Sequence, residues 1–310
     1  MHTREALEHI TAELLSTTQT SPGSDISEDD HRLAAWWFLQ AELLGLPAFG
    51  VAMAGREIRR LANAEAPSDN PEPRGLIDAR TIPGHVALAA AVRRITNSGM
   101  STGVHAIALR NVGALGILGS AARELALRGM VSLVIANSPP IVAPWGGTAP
   151  AIGTNPIAAA TPRRQGAVVV DFSTASITVA ELKQARESSS DLREPGALDT
   201  HGRPTLNALS AHALLPASLE GSLSGFIVEL LTGVAIGRDW EHGRSALVVA
   251  IDPEYFGTDI NSTSEEFTQT WLQAGGHLPS RFSALPHSAE QAPATFDLSP
   301  EDFWKKLRSS

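Results

Sequence analysis

The residues best suited to build a polar site lie in one stretch, Asn137-Ser138-Pro139-Pro140-Ile141-Val142-Ala143-Pro144-Trp145-Gly146-Gly147, resumed at Gly153-Thr154-Asn155-Pro156-Ile157. Prolines restrict its backbone, glycines admit close approach of a ligand or a second segment, and Asn, Ser and Thr carry short donors and acceptors. A rigid polar cradle is the expected product. Asp171 follows a strand-like run and leads into Phe172-Ser173-Thr174. It can supply charge or accept a proton, or simply cap the turn that follows. Arg110 can clamp a carboxylate through its two-pronged donor geometry, or pair with a carboxylate of the chain itself.

Other chemistries are poorly supported. Gly113-Ala114-Leu115-Gly116-Ile117-Leu118-Gly119 follows a strand and opens a helix, so its amides can meet an anion or can serve close helix packing. It is not the Gly-x-Gly-x-x-Gly run of a Rossmann site, and Gly221-Ser222-Leu223-Ser224-Gly225 only approaches a nucleophile elbow. None of the ten histidines pairs with another at ligand spacing, so no metal site is expected. His85 and His105 fall inside the ordered α/β block, where a hydrogen-bonded structural role is expected of each.

The elements that must position these residues follow from periodicity. Ala6, Leu7, Ile10, Leu14 and Leu15 predict a helix from Thr3 to Leu15, and a second starts after Ser27, with Asp29 and Asp30 in its first turn, and ends at Gly45. Its Trp36 and Trp37 read as core or subunit-contact residues. The Ala-, Pro-, Ser-, Asp- and Asn-rich run from Asn63 to Pro73 marks a domain boundary. Beyond it the pattern predicts a helix at 83–98, a strand at 104–109, a helix at 117–128 and a strand at 131–136. The irregular stretch from Asn137 to Pro162 comes next, followed by a strand at 167–170. A helix then runs through Leu182 and Ala185, and a loop spans Ser188 to Pro204. A helix at 219–236, a strand at 246–251 and helices at 264–272 and 300–307 complete the chain.

Composition bounds the function. With 310 residues and 43% hydrophobic content the chain can bury a full core, and the length suggests two closely packed units. A net charge of −9 argues against nucleic-acid or anionic-membrane partners, and the only lysines are Lys183, Lys305 and Lys306. The absence of cysteine excludes disulfides, thiolate metal sites and a Cys nucleophile. Neither a signal-length nor a membrane-length apolar run occurs, so a cytoplasmic protein is expected.

The double cradle resembles the signature of the malate/L-lactate/ureidoglycolate dehydrogenase family, which includes L-sulfolactate dehydrogenase-like proteins. The likeness continues through Gly103–Gly119, Asp171-Phe172-Ser173-Thr174 and Ala197-Leu198-Asp199-Thr200-His201-Gly202-Arg203-Pro204-Thr205. It extends to Val228-Glu229-Leu230-Leu231-Thr232-Gly233 and to Ala250-Ile251-Asp252-Pro253 with Phe256-Gly257. The resemblance implies an α/β, non-Rossmann nicotinamide-dehydrogenase fold: a mixed-sheet domain, 74–257, that binds cofactor or ligand, and a helical dimerisation part built from both termini, 1–73 and 258–310. It implies a homodimer using NAD or NADP on a small 2-oxo/2-hydroxy acid or a cyclic imino acid. On this reading Asn137, Ser138, Gly146, Gly147, Thr154, Asn155, Ser173 and Thr174 hold the cofactor, and Asp171, Arg110 and Asn111 serve catalysis.

The chain departs from the family pattern where chemistry is expected. A family histidine in Ser-His-Gly corresponds to Phe49, which cannot relay a proton. A second, just before the glycine turn, corresponds to Asn111 or has been deleted, since Arg110-Asn111-Val112-Gly113 retains no imidazole. Basic groups that hold the cofactor in the family correspond to Glu181 and Glu220, which would repel phosphate by about 1 kcal/mol or more each. The expected function is therefore an oxidoreductase with a remodelled active site. The alternative is the same fold turned to non-redox chemistry on a small carboxylate-bearing metabolite, or a catalytically inactive homologue.

Overall fold

The computed structural model describes residues 1–20, 25–62, 64, 73, 75–98, 102–237 and 243–308. Two compact units divide the chain: residues 1–134, 158–170 and 248–310 form one, and residues 135–157 and 171–247 form the other. This division falls elsewhere than the boundaries expected near 73 and 257. The terminal helices belong with most of the sheet, because they pack directly onto the helices that cover it. The expected linker from Asn63 to Pro73 lies, apart from its residues 64 and 73, outside the described residues.

The first unit opens with α1 (Thr3–Thr17) and α2 (Glu28–Leu43). Ser27 caps α2 in a reciprocal box with Asp30, so two of the helix's unpaired first-turn donors are met locally. Gly45, with φ +69°, takes the left-handed turn that ends the element. Trp36 and Trp37 are buried within the unit. α3 (Val51–Leu61) packs against the last helix, α9 (Pro300–Arg308), and a Cβ at Gly55 would collide with the Lys306 and Leu307 carbonyls. β1 (Leu76–Asp78), a strand not expected from the sequence, comes first; α4 (Gly84–Asn97), β2 (Val104–Arg110), α5 (Leu118–Leu127) and β3 (Val131–Ala136) then follow the expected alternation. α4 is buried along nearly its whole length, lying between α2 and β2.

The principal sheet also takes in β4 (Ile157–Arg163), β5 (Gly166–Phe172) and β9 (Ser245–Ile251), in the order β1-β2-β9-β3-β4-β5. β1 and β2 run parallel, with Asp78 beside Arg110. β4 occupies residues expected in the irregular stretch, which therefore ends at Pro156 and not Pro162. α8 (Ile260–Gln273) precedes an extended segment that returns to the start of the chain. There His2 bridges Thr295, and the Thr3 amide donates to the Ala294 carbonyl at 2.9 Å.

In the second unit, α6 (Val179–Glu187) precedes a small sheet of β6 (Ala197–Leu198), β7 (Pro204–Thr205) and β8 (Ala213–Leu214), ordered β7-β6-β8. Val142, Ile152, Ile177, Leu182, Leu192 and Leu214 form the core that joins loop, helix and sheet. α7 (Leu219–Val228) runs on into a π-helical segment, Glu229–Val234. Such widening is uncommon and recurs at functional positions.

Candidate functional site

In the second unit the cradle is built against a buried carboxylate. Glu229 is 4% exposed, and its oxygens accept from Asn137 Nδ2 at 3.2 Å and Asn155 Nδ2 at 3.0 Å. Asn155 Nδ2 also donates to the Gly225 carbonyl at 2.9 Å, and Asn137 Oδ1 accepts from the Ser245 amide at 2.7 Å. Burying a carboxylate costs several kcal/mol unless hydrogen bonds replace its water. Two asparagine amides, brought in from either end of the loop, supply that replacement. Asn155 sits in the left-handed region, φ +37°, which Asn tolerates better than most side chains.

Between those ends the loop folds on itself, with Ala151 N–H donating to the Val142 carbonyl and Val142 N–H to the Ile152 carbonyl. Gly153 is pressed on Ser138 so closely that a Cβ would overlap the Ser138 hydroxyl and carbonyl oxygens. The Thr154 amide donates to Ser138 Oγ at 3.2 Å. The Thr154 carbonyl accepts from Ser173 Oγ at 3.1 Å and Thr174 Oγ1 at 3.0 Å. Six of the expected cofactor residues thus fall into two hydrogen-bonded sets that adjoin along the chain: Asn137 and Asn155 through Glu229, and Ser138, Thr154, Ser173 and Thr174 through the Thr154 backbone. Gly146, φ +80°, and Gly147 lie apart at a turn whose Trp145 amide donates to Ser222 Oγ of α7 at 3.0 Å. Asp171 is half-buried near the end of β5, two residues before Ser173.

In the first unit, Arg110 and Asn111 converge on Asp78 at the carboxyl ends of β1 and β2. Asn111, φ +55°, donates from Nδ2 to the Asp78 oxygens at 3.0 and 2.9 Å, and an Arg110 nitrogen lies 3.3 Å from Oδ2. Arg110 is accordingly paired with a carboxylate of the chain itself. The glycine turn beside them is occupied in the same way. Glu57, 3% exposed, accepts from the Ala114 amide at 2.8 Å and from the Gly84 amide at 3.1 Å, and pairs with Arg60 at 3.2 Å. His85 stacks near Phe38, with centroids 3.9 Å apart, and hydrogen-bonds the Ala114 carbonyl. Burial pushes its pKa down to about 3, so the ring is neutral, and Nδ1 has no partner among the described residues. His105, part-buried, shares a hydrogen bond with Ser98 at 2.9 Å.

Phe49 closes a 3-10 turn, Pro47–Phe49. Glu181 caps α6: its carboxylate accepts from the Thr178 amide at 2.6 Å while its own amide donates to Thr178 Oγ1. Glu220 lies in the first turn of α7, where backbone amide and Ser218 hydroxyl bonds hold its pKa below the ordinary carboxylate value. Both acids suit the positive end of a helix dipole. Among the described residues no His/Cys/Asp/Glu group could hold a metal, and no helix is long and apolar enough to cross a membrane.

Three buried or half-buried acids organise these clusters without having been expected to: Asp78, Glu57 and Glu229. The available signal was a charge set among apolar neighbours at helical or strand spacing, as in Ile227-Val228-Glu229-Leu230-Leu231.

A family model described as malate/L-lactate dehydrogenase matches residues 3–286. The chain belongs to that family. Among curated relatives, the (2R)-3-sulfolactate dehydrogenase (NADP(+)) of Chromohalobacter salexigens is 32% identical over 221 residues, covering 66% of each chain. The Delta(1)-pyrroline-2-carboxylate reductase of Agrobacterium fabrum is 34% identical over 54% of this chain and 55% of that protein. The chain spans just under two thirds of the length of the first curated relatives it matches, 66% and 65%. Among solved structures, delta1-piperideine-2-carboxylate reductase from Pseudomonas syringae pvar. tomato superposes with a TM-score of 0.80 at 23% identity, over 99% of this chain and 98% of that one. The fold is therefore the α/β nicotinamide-dehydrogenase fold expected from the sequence, with a mixed sheet and helices.

Proposed function

We propose that this chain is an NAD(P)-dependent oxidoreductase with a remodelled active site, acting on a small 2-oxo/2-hydroxy acid or a cyclic imino acid as a cytoplasmic homodimer. The observation that carries the reading is the cradle, which is preformed by the Asn137–Glu229–Asn155 network and not by a ligand. A polar, rigid loop of this kind fits an amide- and hydroxyl-bearing cofactor, because preorganised donors cost nothing to align on binding. Ser138, Thr154, Ser173 and the Gly146-Gly147 backbone would hold the nicotinamide part, which supplies or takes the hydride. Asn137, Asn155 and Thr174, all at most 2% exposed, would position them from behind. Asp171 would hold the transferred proton. Arg110 would orient the substrate carboxylate while Asn111 keeps Asp78 occupied. Glu181 and Glu220 would weaken phosphate binding relative to a basic site.

The engagement of both Arg110 and Asn111 with Asp78 favours a second reading, in which the fold carries out non-redox chemistry on a carboxylate metabolite or none. Titration with NADH and NADPH, followed by fluorescence and thermal shift, separates the two. Saturable binding supports the oxidoreductase, and absence of binding at millimolar cofactor rejects it. If reductase activity is found, Arg110→Ala should raise KM for the acid. Unchanged kinetics would remove Arg110 from the site.

A further inference from the structure

Two arginines on one turn of α3, Arg56 and Arg59, form no ion pair with a carboxylate among the described residues, whereas Arg60, Arg93, Arg94, Arg110, Arg128 and Arg163 of the same unit each do. Arg56 spends one of its five donors on the Ala48 carbonyl, from Nη2 at 2.8 Å. Arg59 Nη1 is buried and has no partner among the described residues. The acids that bear on this turn are engaged: Glu57 with Arg60 and the Ala114 and Gly84 amides, and Glu42 with the Val51 amide at 2.8 Å. Partial burial, and then the Arg59 charge, push the Arg56 pKa below its ordinary value. The last carbonyls of α9 press on Gly55, where a Cβ would also come 3.1 Å from Arg59 Nη1. Arg59 is thus laid against the carboxyl end of α9, which fixes its direction but supplies only a partial negative charge.

We infer that Arg56 and Arg59 form a binding site for one small oxyanion, a phosphate or carboxylate group. Guanidinium forks meet such groups through paired, charge-assisted hydrogen bonds, and two forks three residues apart on a helix share one side of it. The buried Nη1 end has neither water nor an acceptor of the chain to offset its charge, so an anion on the open side of the pair supplies what the fold leaves out. Lys306, close enough to act on Glu42, adds a third cation at the same end of α3. The net charge of −9 opposes a larger polyanion, so the site suits a single small group. Glu57 lies on the buried face of the same turn, so an anion that steadies α3 also steadies the acid that fastens the glycine turn. The inference does not rest on the proposed function, and a failure to bind NADH or NADPH would leave it standing.

The test is a titration of the native chain with inorganic phosphate and, separately, with acetate, in the absence of NADH and NADPH and at an ionic strength held constant with sodium chloride. At least one of the two should raise Tm along a saturating curve with a half-point in the millimolar range, and calorimetry should return the same half-point. Saturation by phosphate alone assigns the site to a phosphate-bearing ligand, and saturation by acetate assigns it to a carboxylate. Arg56→Gln and Arg59→Gln should each raise the half-point by about fivefold or more, while Lys183→Gln on α6 should leave it unchanged. A Tm rise that chloride reproduces, or glutamine variants that keep the native half-point, would overturn the proposal. If the variants fail to fold, arginine labelling of the native chain with phenylglyoxal decides. The saturating anion should protect Arg56 and Arg59 but not the exposed Arg4, and labelling of the pair that the anion leaves unchanged would equally overturn it.

Discussion

Glu57 Oε1 lies 2.8 Å from the amide nitrogen of Ala114, so the glycine turn after β2 takes its negative charge from α3 of the same unit. The second oxygen meets the Gly84 amide at the start of α4. One buried carboxylate therefore fastens a helix start and a turn that are distant in sequence, and at Ala114 it fills a place where an anion was a plausible guest.

Replacing that carboxylate by an amide tests the arrangement. Glu57→Gln retains one acceptor but opposes an N–H to an N–H at the other amide and leaves Arg60 without its partner. Hydrogen bonds to charged groups contribute about 1.5–3 kcal/mol, so a loss of about 2–4 kcal/mol in unfolding free energy is expected. Urea denaturation measures it, and a loss below about 0.5 kcal/mol would show that the bonds contribute little.

His85 predicts an acid-side instability. Its folded pKa, about 3, is below the ordinary value of 6.5, so the native state binds fewer protons than the unfolded chain. Its contribution is complete above pH 6.5 and is lost as pH falls toward 3, at up to about 1.4 kcal/mol per pH unit. His85→Gln should flatten the stability profile between pH 6 and 4 in chemical denaturation. His31, whose pKa burial also lowers, acts in the same direction and leaves a residual slope.

Asn155→Asp places a second carboxylate against Glu229 in a site without solvent access. Denaturation at pH 8 should show a loss of about 3 kcal/mol or more relative to the native chain, whereas the isosteric, uncharged Asn155→Leu should lose less. Equal losses in the two variants would mean that the added charge does not meet Glu229.

Gly153→Ala forces a methyl onto Ser138, whose carbonyl is backbone and cannot swing aside. A cost of about 1–3 kcal/mol is expected from overpacking. If the cradle holds the cofactor, NADH or NADPH affinity should fall with it. Unchanged affinity would move the binding site away from residues 138–154.

Local signals carried much of the fold. Ser27 with Asp30 marked the start of α2, because a cap acts over three residues. The Pro- and Gly-rich loop was legible for the same reason. β4 was missed because its alanines, Ala158 to Ala160, give little strand signal. The site's organising acids depend on distant partners: Glu229 meets Asn155 and Asn137 across 74 and 92 residues, and Glu57 meets Ala114 across 57. Asn137, Asn155 and Thr174 could be named as candidates for the site, but their burial could not be read from spacing.

The bridge between His2 and Thr295 ties the first turn of α1 to a segment translated almost 300 residues later. During synthesis α1 is made long before the segment that covers its start. The first unit therefore cannot close until the residues around Thr295 have been made. The contact is one of very long sequence separation, and truncation a few residues before Thr295 should leave the start of α1 uncovered.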